Sequence, residues 1–71
     1  MIKNLNALFI AISDNKAVVF DTNLKNMWDK LKAIEPDCRN YDYYYREFKK
    51  KSIVVYKNPD DKIYVLQRLE P

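Results

Sequence analysis

The sequence predicts a small α+β domain, ordered ββααββ, in which an antiparallel sheet packs on two helices. Three observations lead to this fold class. Segments rich in β-branched and aromatic residues flank turn-forming residues near both ends of the chain, and the segment between them has helical hydrophobic spacing. The length of 71 residues fits one domain, residues 1–71.

The first hairpin is predicted over residues 8–21, around a three-residue turn at 14–16 with the sequence Asp-Asn-Lys. With this loop, alternate residues of the two strands form one apolar face, which is the predicted core side. Its members are Leu8, Ile10, Ile12, Val18 and Phe20. The opposite face is also apolar and is predicted either to lie under a helix or to form a contact surface. Its members are Phe9, Ala11, Ala17 and Val19.

The first helix is predicted over residues 24–35, with Thr22 or Asn23 as its N-cap. Pro36 ends it, because proline disfavours helical geometry in the residue before it. An apolar stripe follows the helical period, and Trp28 is the predicted anchor of the core. The stripe consists of Leu24, Met27, Trp28, Leu31 and Ile34.

The second helix is predicted over residues 41–51, with Asp37 or Asn40 as its cap. At 100° per residue, its tyrosine-rich sequence divides into two faces. The predicted core face consists of Tyr41, Tyr44, Tyr45 and Phe48. The predicted outward face consists of Tyr43, Arg46 and Lys50, with Lys49 and Lys51 on its flanks.

The second hairpin is predicted from strands at 52–57 and 62–69, joined by a type I turn with Pro59 at its second position. We expect Lys57 to lie opposite Lys62 in this hairpin. That register places Ile53, Val55, Tyr64 and Leu66 on one face of the hairpin, and Val54, Tyr56, Ile63 and Val65 on the other.

Composition argues against an enzyme or a metal protein. The chain has no glycine, which excludes glycine-rich phosphate-binding loops, and no histidine, the usual general base near neutral pH. One cysteine, Cys38, provides neither an internal disulfide nor a zinc site. We therefore expect no catalytic residue, cofactor or metal. The lone thiol favours a cytoplasmic location, and the apolar run at 7–12 is too short to cross a membrane.

Charge is concentrated in one part of the chain. Residues 39–57 contain six basic and two acidic residues, a net charge of +4, whereas the remainder carries −1. A basic helix face with an outward aromatic ring is typical of surfaces that contact phosphates. The sequence therefore predicts nucleic-acid binding through the second helix, flanked by the tip of the second hairpin. The predicted contact residues are Tyr43, Arg46, Lys49, Lys50, Lys57 and Lys62.

The three lysines at the end of the second helix are also typical of a solvated helix terminus, which weakens the case for nucleic acid. The alternative is a protein partner. The abundance of lysine, asparagine, isoleucine and tyrosine suggests an A/T-rich bacterial, phage or plasmid genome. A compact chain of this kind suits an inhibitor that occludes a partner's surface, and a homodimer through a strand edge is a variant. The expected contact surface is either the tyrosine-rich helix or an apolar sheet face containing Phe9, Ala11, Val19, Val54 and Tyr56.

Overall fold

The computed structural model describes residues 7–70 and shows a four-stranded antiparallel sheet with two helices on one of its faces. The elements in chain order are β1 (Leu8–Ser13), β2 (Lys16–Asp21), α1 (Leu24–Ile34), α2 (Tyr41–Lys50), β3 (Ile53–Lys57) and β4 (Ile63–Leu69). The strand order across the sheet is β2-β1-β4-β3, so the two hairpins meet through β1 and β4. The predicted α+β class, with an antiparallel sheet and two helices, is confirmed.

The first hairpin turns through two residues, Asp14 and Asn15. Their φ angles are 54° and 63°, in the left-handed region that two-residue hairpin turns use. Aspartate and asparagine tolerate this region better than other residues with a side chain, which suits a chain without glycine. The predicted three-residue turn is wrong, because Lys16 already belongs to β2 and pairs with Ser13.

A β-bulge at Val18 corrects the face alternation after this shorter turn. Ala11 pairs with Val19 and Ile12 pairs with Ala17, so Val18 is the additional residue on β2. The bulge keeps Val18 and Phe20 on the side of Ile12. The strand residues therefore group as predicted except for Ala17, which pairs with Ile12 and shares its face. The group that faces the core is, however, the other one.

The helices cover the sheet face that contains Ala11, which is fully buried. Its methyl side chain leaves room for Met27 and Leu31 of α1, which are equally inaccessible to solvent. The prediction that the side of Leu8, Ile10, Ile12, Val18 and Phe20 faces the core is therefore wrong. The proposed contact face of Phe9, Ala11, Val19, Val54 and Tyr56 is wrong as well, because these residues pack in or against the core beneath the helices.

The second hairpin has a five-residue loop, and Lys57 pairs with Ile63 instead of Lys62. This register brings Val54 opposite Leu66 and Tyr56 opposite Tyr64, all four in the core. The predicted register is wrong by one residue on β4, because the loop takes up Lys62. Ile53, Val55, Ile63 and Val65 consequently share the opposite face of the sheet.

Asn58 determines the shape of this loop. Its backbone N–H donates to the carbonyl of Lys62 at 2.9 Å, and its Oδ1 accepts from the N–H groups of Asp60 at 2.9 Å and Lys62 at 2.8 Å. The Asn58 carbonyl accepts from Asp61 N–H at 2.9 Å, which confirms the predicted turn around Pro59. The buried side chain of Asn58 thus accepts hydrogen bonds from two backbone N–H groups of the loop.

Helix α1 begins after Asn23, whose Oδ1 accepts from the N–H of Asn26 at 3.1 Å, and its C-cap is Glu35, immediately before Pro36. Most of the predicted stripe is buried. Trp28, the expected core anchor, is only half-buried, and its Nε1 donates to the carbonyl of Arg39 at 2.9 Å. Ile34 is exposed, so the stripe leaves the core before the helix ends.

Candidate functional site

The sheet face opposite the helices is almost entirely apolar and has no covering element among residues 7–70. We call it the open face. The strand pairings place on it Leu8, Ile10, Ile12, Ala17, Val18, Phe20, Ile53, Val55, Lys57, Ile63, Val65, Gln67 and Leu69. Val55 is 59% exposed, Phe20 56% and Ile63 52%. Such a composition is typical of a sheet face that is packed against another layer.

The distribution of isoleucine shows how unusual the open face is. All four isoleucines of the strands lie on it: Ile10, Ile12, Ile53 and Ile63. The covered face contains none, and its strand residues in the core are Ala11, Val54, Tyr56, Tyr64 and Leu66. Monomeric proteins rarely expose contiguous apolar patches larger than a few hundred Å², and larger ones mark interaction surfaces. The sequence predicted the open-face residues of β1 and β2 as one group, except for Ala17, but assigned that group to the core.

Helix α2 is capped by Asn40, whose Oδ1 accepts from the N–H of Tyr43 at 2.8 Å. Tyr44 and Phe48 are buried as predicted, and burial raises the pKa of Tyr44 to about 12. Tyr41 is only half-buried and Tyr45 is exposed, so the predicted core face of four aromatic rings is narrower than expected. The difference arises because α2 packs near the β3 side of the sheet and presents only its i, i+4 ridge to the core.

Tyr43 does not point outward as predicted. Its ring packs against the core, forming an edge contact with Tyr44 at 5.2 Å between centroids. The Arg39 guanidinium lies over the Tyr43 ring, 4.0 Å from its centroid. Arg39, which sequence reasoning did not assign to the site, thus occupies the ring face that was expected to be available to a ligand. Its position directly before the Asn40 cap, four residues from Tyr43, is the signal that was missed.

Arg46, Lys49 and Lys50 are exposed on α2, as the sequence predicted. Glu47 lies among these cations, 3.0 Å from Lys51 Nζ and 3.9 Å from Lys50 Nζ. The hydrogen bond from Lys51, together with nearby positive charge, lowers the pKa of the Glu47 carboxyl. The carboxylate therefore stays ionised near neutral pH and offsets part of the positive potential that a phosphate would experience.

Lys49 faces a different part of the surface from Lys50. Its Nζ lies 4.6 Å from the centroid of the Tyr45 ring, at the edge of a shallow groove of about 320 Å³ between α2, β1 and the start of α1. The groove is lined by Phe9, Thr22, Asn23, Leu24, Tyr41, Tyr45, Phe48, Lys49 and Arg68. Arg68 donates to the carbonyl of Phe48, which directs its charge toward the protein instead of outward.

The two lysines of the second hairpin are not brought to α2. Lys57 ends β3, whereas α2 leads directly into the start of that strand, so Lys57 and Lys50 lie at opposite ends of it. Lys57 forms an ion pair with Asp61 at 3.3 Å and belongs to the open face. Lys62 lies with its Nζ 5.5 Å from the centroid of the Tyr64 ring. The six predicted contact residues therefore do not form one surface.

A buried polar cluster connects α1 to the second hairpin. Glu35 Oε2 accepts from Tyr64 Oη at 2.6 Å and from Asn58 Nδ2 at 3.1 Å. The hydrogen bond to Glu35, followed by burial, raises the pKa of Tyr64 to about 12. Cys38 is buried, and burial raises the pKa of its thiol, which disfavours the nucleophilic thiolate. The hydrogen bonds of Glu35 form a structural network, and Cys38 is a buried residue of the core.

The described residues 7–70 contain no group of three or more metal-ligating side chains placed to hold an ion. No helix in that range is long and apolar enough to cross a bilayer. A scan against protein-family models, a search of curated proteins and a search of solved structures each found no match. Function is therefore inferred from the surfaces of this chain alone.

Proposed function

We propose that this chain is a non-enzymatic protein-binding module whose contact surface is the open face of its sheet. The observation that supports this function is a four-stranded sheet with helices on one side and a continuous apolar surface on the other. This corresponds to the alternative drawn from the sequence, a module that occludes a partner's surface, with the contact residues reassigned to the opposite side of the sheet.

The exposed side chains of the open face make its coverage by a partner favourable. Val55, Phe20 and Ile63 each keep about half of their surface in water. Covering the exposed half of one such side chain contributes on the order of 1 kcal/mol. A partner that covers several of them gains enough to offset part of the entropy lost on association. Function as a contact surface explains why these positions carry apolar residues, which folding of the described chain alone does not require.

A photo-cross-linking amino acid provides the test. We would place it at Val55, in the open face, and in a second variant at Arg46, which is also exposed but lies on the helical side. Both variants would be irradiated in the cells that naturally produce the protein. We expect protein adducts from position 55 and few from position 46. Adducts that form equally at both positions, or only at position 46, would contradict the proposal.

Nucleic-acid binding through α2 is the second candidate. Arg46 and Lys50 are exposed on one side of the helix, and Arg39, whose guanidinium lies over the Tyr43 ring, is exposed directly before its N-cap. Exposed arginine and lysine side chains are suited to contact phosphates. Glu47 and the separation of α2 from the hairpin lysines weigh against it. For this reason the open face is the primary proposal and the α2 surface is secondary.

A binding titration with short DNA and RNA duplexes and single strands tests this second candidate. The double variant Arg46→Gln/Lys50→Gln is compared with Lys16→Gln/Lys25→Gln, which removes the same charge from other parts of the surface. If α2 binds phosphates, only the first variant should bind more weakly, and its salt slope should fall by about one for each phosphate that it no longer neutralises. Absence of binding by the natural protein at about 50 mM salt would exclude this candidate, because electrostatic affinity is strongest at low salt.

A further inference from the structure

We propose that the partner of the open face is a second copy of this chain, packed face to face across a two-fold axis to form a β-sandwich dimer. This inference rests on the proposed function, since it names the occupant of the same surface. It also goes beyond the strand-edge dimer considered from the sequence, because the contact is between sheet faces and not between strand edges.

The open face is almost free of charge. Across four strands it contains no aspartate, glutamate or arginine, and Lys57 is its one cation, at the end of edge strand β3. The chain as a whole carries a net charge of +3, so two copies repel each other weakly in most orientations. The open face can meet its own copy without placing like charges together. Burial of an apolar sheet surface is most favourable against another apolar surface, and the chain itself presents one.

The position of Gln67 also favours a second copy. It lies on the central strand β4 between Ile10 of β1 and Ile53 of β3, and it is the one polar residue in the interior of the open face. An amide has both donors and acceptors, so two Gln67 side chains that meet at a two-fold axis satisfy each other. A different partner would need a matching polar group at this point to avoid burying the amide without a hydrogen bond.

The size of the open face sets the expected strength of the dimer. The strands contain five to seven residues, and at about 4.8 Å between strands and 3.3 Å per residue the face measures roughly 19 by 20 Å. Each copy therefore contributes roughly 400 Å² in projection, before the relief of the side chains is counted. Specific interfaces begin at about 1,200 Å² in total. Two copies together contribute roughly 800 Å² in projection, which is the size of a weak, transient interface. We therefore expect weak association and take the micromolar range as the concentration range to test.

Sedimentation equilibrium over a wide range of protein concentration measures this association. We expect the natural protein to move from the 8.6 kDa monomer to twice that mass as concentration rises through the micromolar range. Circular dichroism checks that the two variants described next, Gln67→Glu and Asn26→Glu, retain the fold. We expect that they do, because Gln67 is half-buried and Asn26 is exposed in the monomer. A natural protein that remains monomeric at about 1 mM, far above a micromolar dissociation constant, overturns the proposal.

Gln67→Glu tests the two-fold geometry. Two carboxylates would meet at the axis, so we expect the dissociation constant to rise roughly a hundredfold at neutral pH. Association should return near pH 4, where the glutamates become protonated. Asn26→Glu adds the same charge on the exposed side of α1 and should leave the dissociation constant unchanged. Equal association of Gln67→Glu and the natural protein at neutral pH would overturn the proposed interface.

The outcomes separate this inference from the proposed function. Cross-links from position 55 to another copy of the chain support both. Cross-links from position 55 to a different protein, together with a monomeric natural protein in solution, leave the protein-binding function in place and overturn the dimer. Absence of cross-links at position 55 contradicts the function, whatever the sedimentation result.

Discussion

Glu35 accepts a hydrogen bond from the buried hydroxyl of Tyr64 at 2.6 Å, and this contact joins the end of α1 to β4. The same carboxylate oxygen accepts from Asn58, which shapes the loop of the second hairpin. Glu35 is also the C-cap residue of α1, directly before Pro36. One side chain thus links the end of the helix to both a strand and the loop of the second hairpin.

Glu35→Ala should destabilise the domain by about 1–3 kcal/mol, because it leaves Tyr64 Oη and Asn58 Nδ2 buried without their acceptor. Glu35→Gln keeps an acceptor oxygen and should cost less. The free energy of unfolding, from urea titrations, provides the measurement. Tyr45→Phe removes an exposed hydroxyl and serves as the control that should change nothing. Equal stability of Glu35→Ala and the natural protein would show that the network does not contribute.

Stability should fall as the pH rises from about 10 to about 12. Both Tyr44 and Tyr64 have pKa values raised to about 12 in the folded protein, against about 10 in the unfolded chain. The folded state therefore holds their protons more tightly, and this contribution is complete below pH 10 and lost as the pH passes through the folded pKa. Urea titrations at several alkaline pH values measure it. In Tyr64→Phe the loss of stability should be smaller, because the contribution of Tyr64 is removed while that of Tyr44 remains. An unchanged pH dependence would contradict the role of Tyr64.

Neighbouring valines on β3 should respond differently to truncation. Val54 is buried and Val55 is exposed. Val54→Ala should cost roughly 2 kcal/mol, because it removes two core methyl groups and leaves a small cavity. Val55→Ala should change the stability of the monomer by less than about 0.5 kcal/mol at low protein concentration. Urea titrations of both variants decide the assignment of faces, since a reversed order would place the helices on the other side of the sheet.

Replacing Arg46 and Lys50 with glutamine should leave the fold intact. Both side chains are exposed on α2, and the Lys50–Glu47 ion pair at 3.9 Å is a surface contact that contributes little. We expect a change in unfolding free energy below about 0.5 kcal/mol by urea titration. Phe48→Ala on the same helix is the contrasting variant and should cost about 3–5 kcal/mol, because its ring is buried. Unfolding of the Arg46/Lys50 variant would mean that α2 is rotated differently.

Sequence patterns predicted only part of the candidate site. Helical spacing correctly separated exposed Arg46 and Lys50 from buried Tyr44 and Phe48. It could not show that Arg39, outside the helix, lies over Tyr43, because that contact depends on the path of the chain before the Asn40 cap. Nor could it show that the tip lysines are remote from α2, which follows from the direction of β3.

The sequence by itself determined the elements, because their signals are local. The asparagine caps, Pro36 after α1 and the two apolar hairpins all act within a few residues, and they led to the correct class and to helix bounds within about one residue. Only the tertiary structure decided which sheet face meets the helices. Both faces of β1 and β2 are apolar, so hydrophobicity does not distinguish them; in the folded chain the helices pack on the side of the small Ala11, which is fully buried. That choice leaves the isoleucine-rich face open, and it moves the proposed function from the basic helix to the sheet.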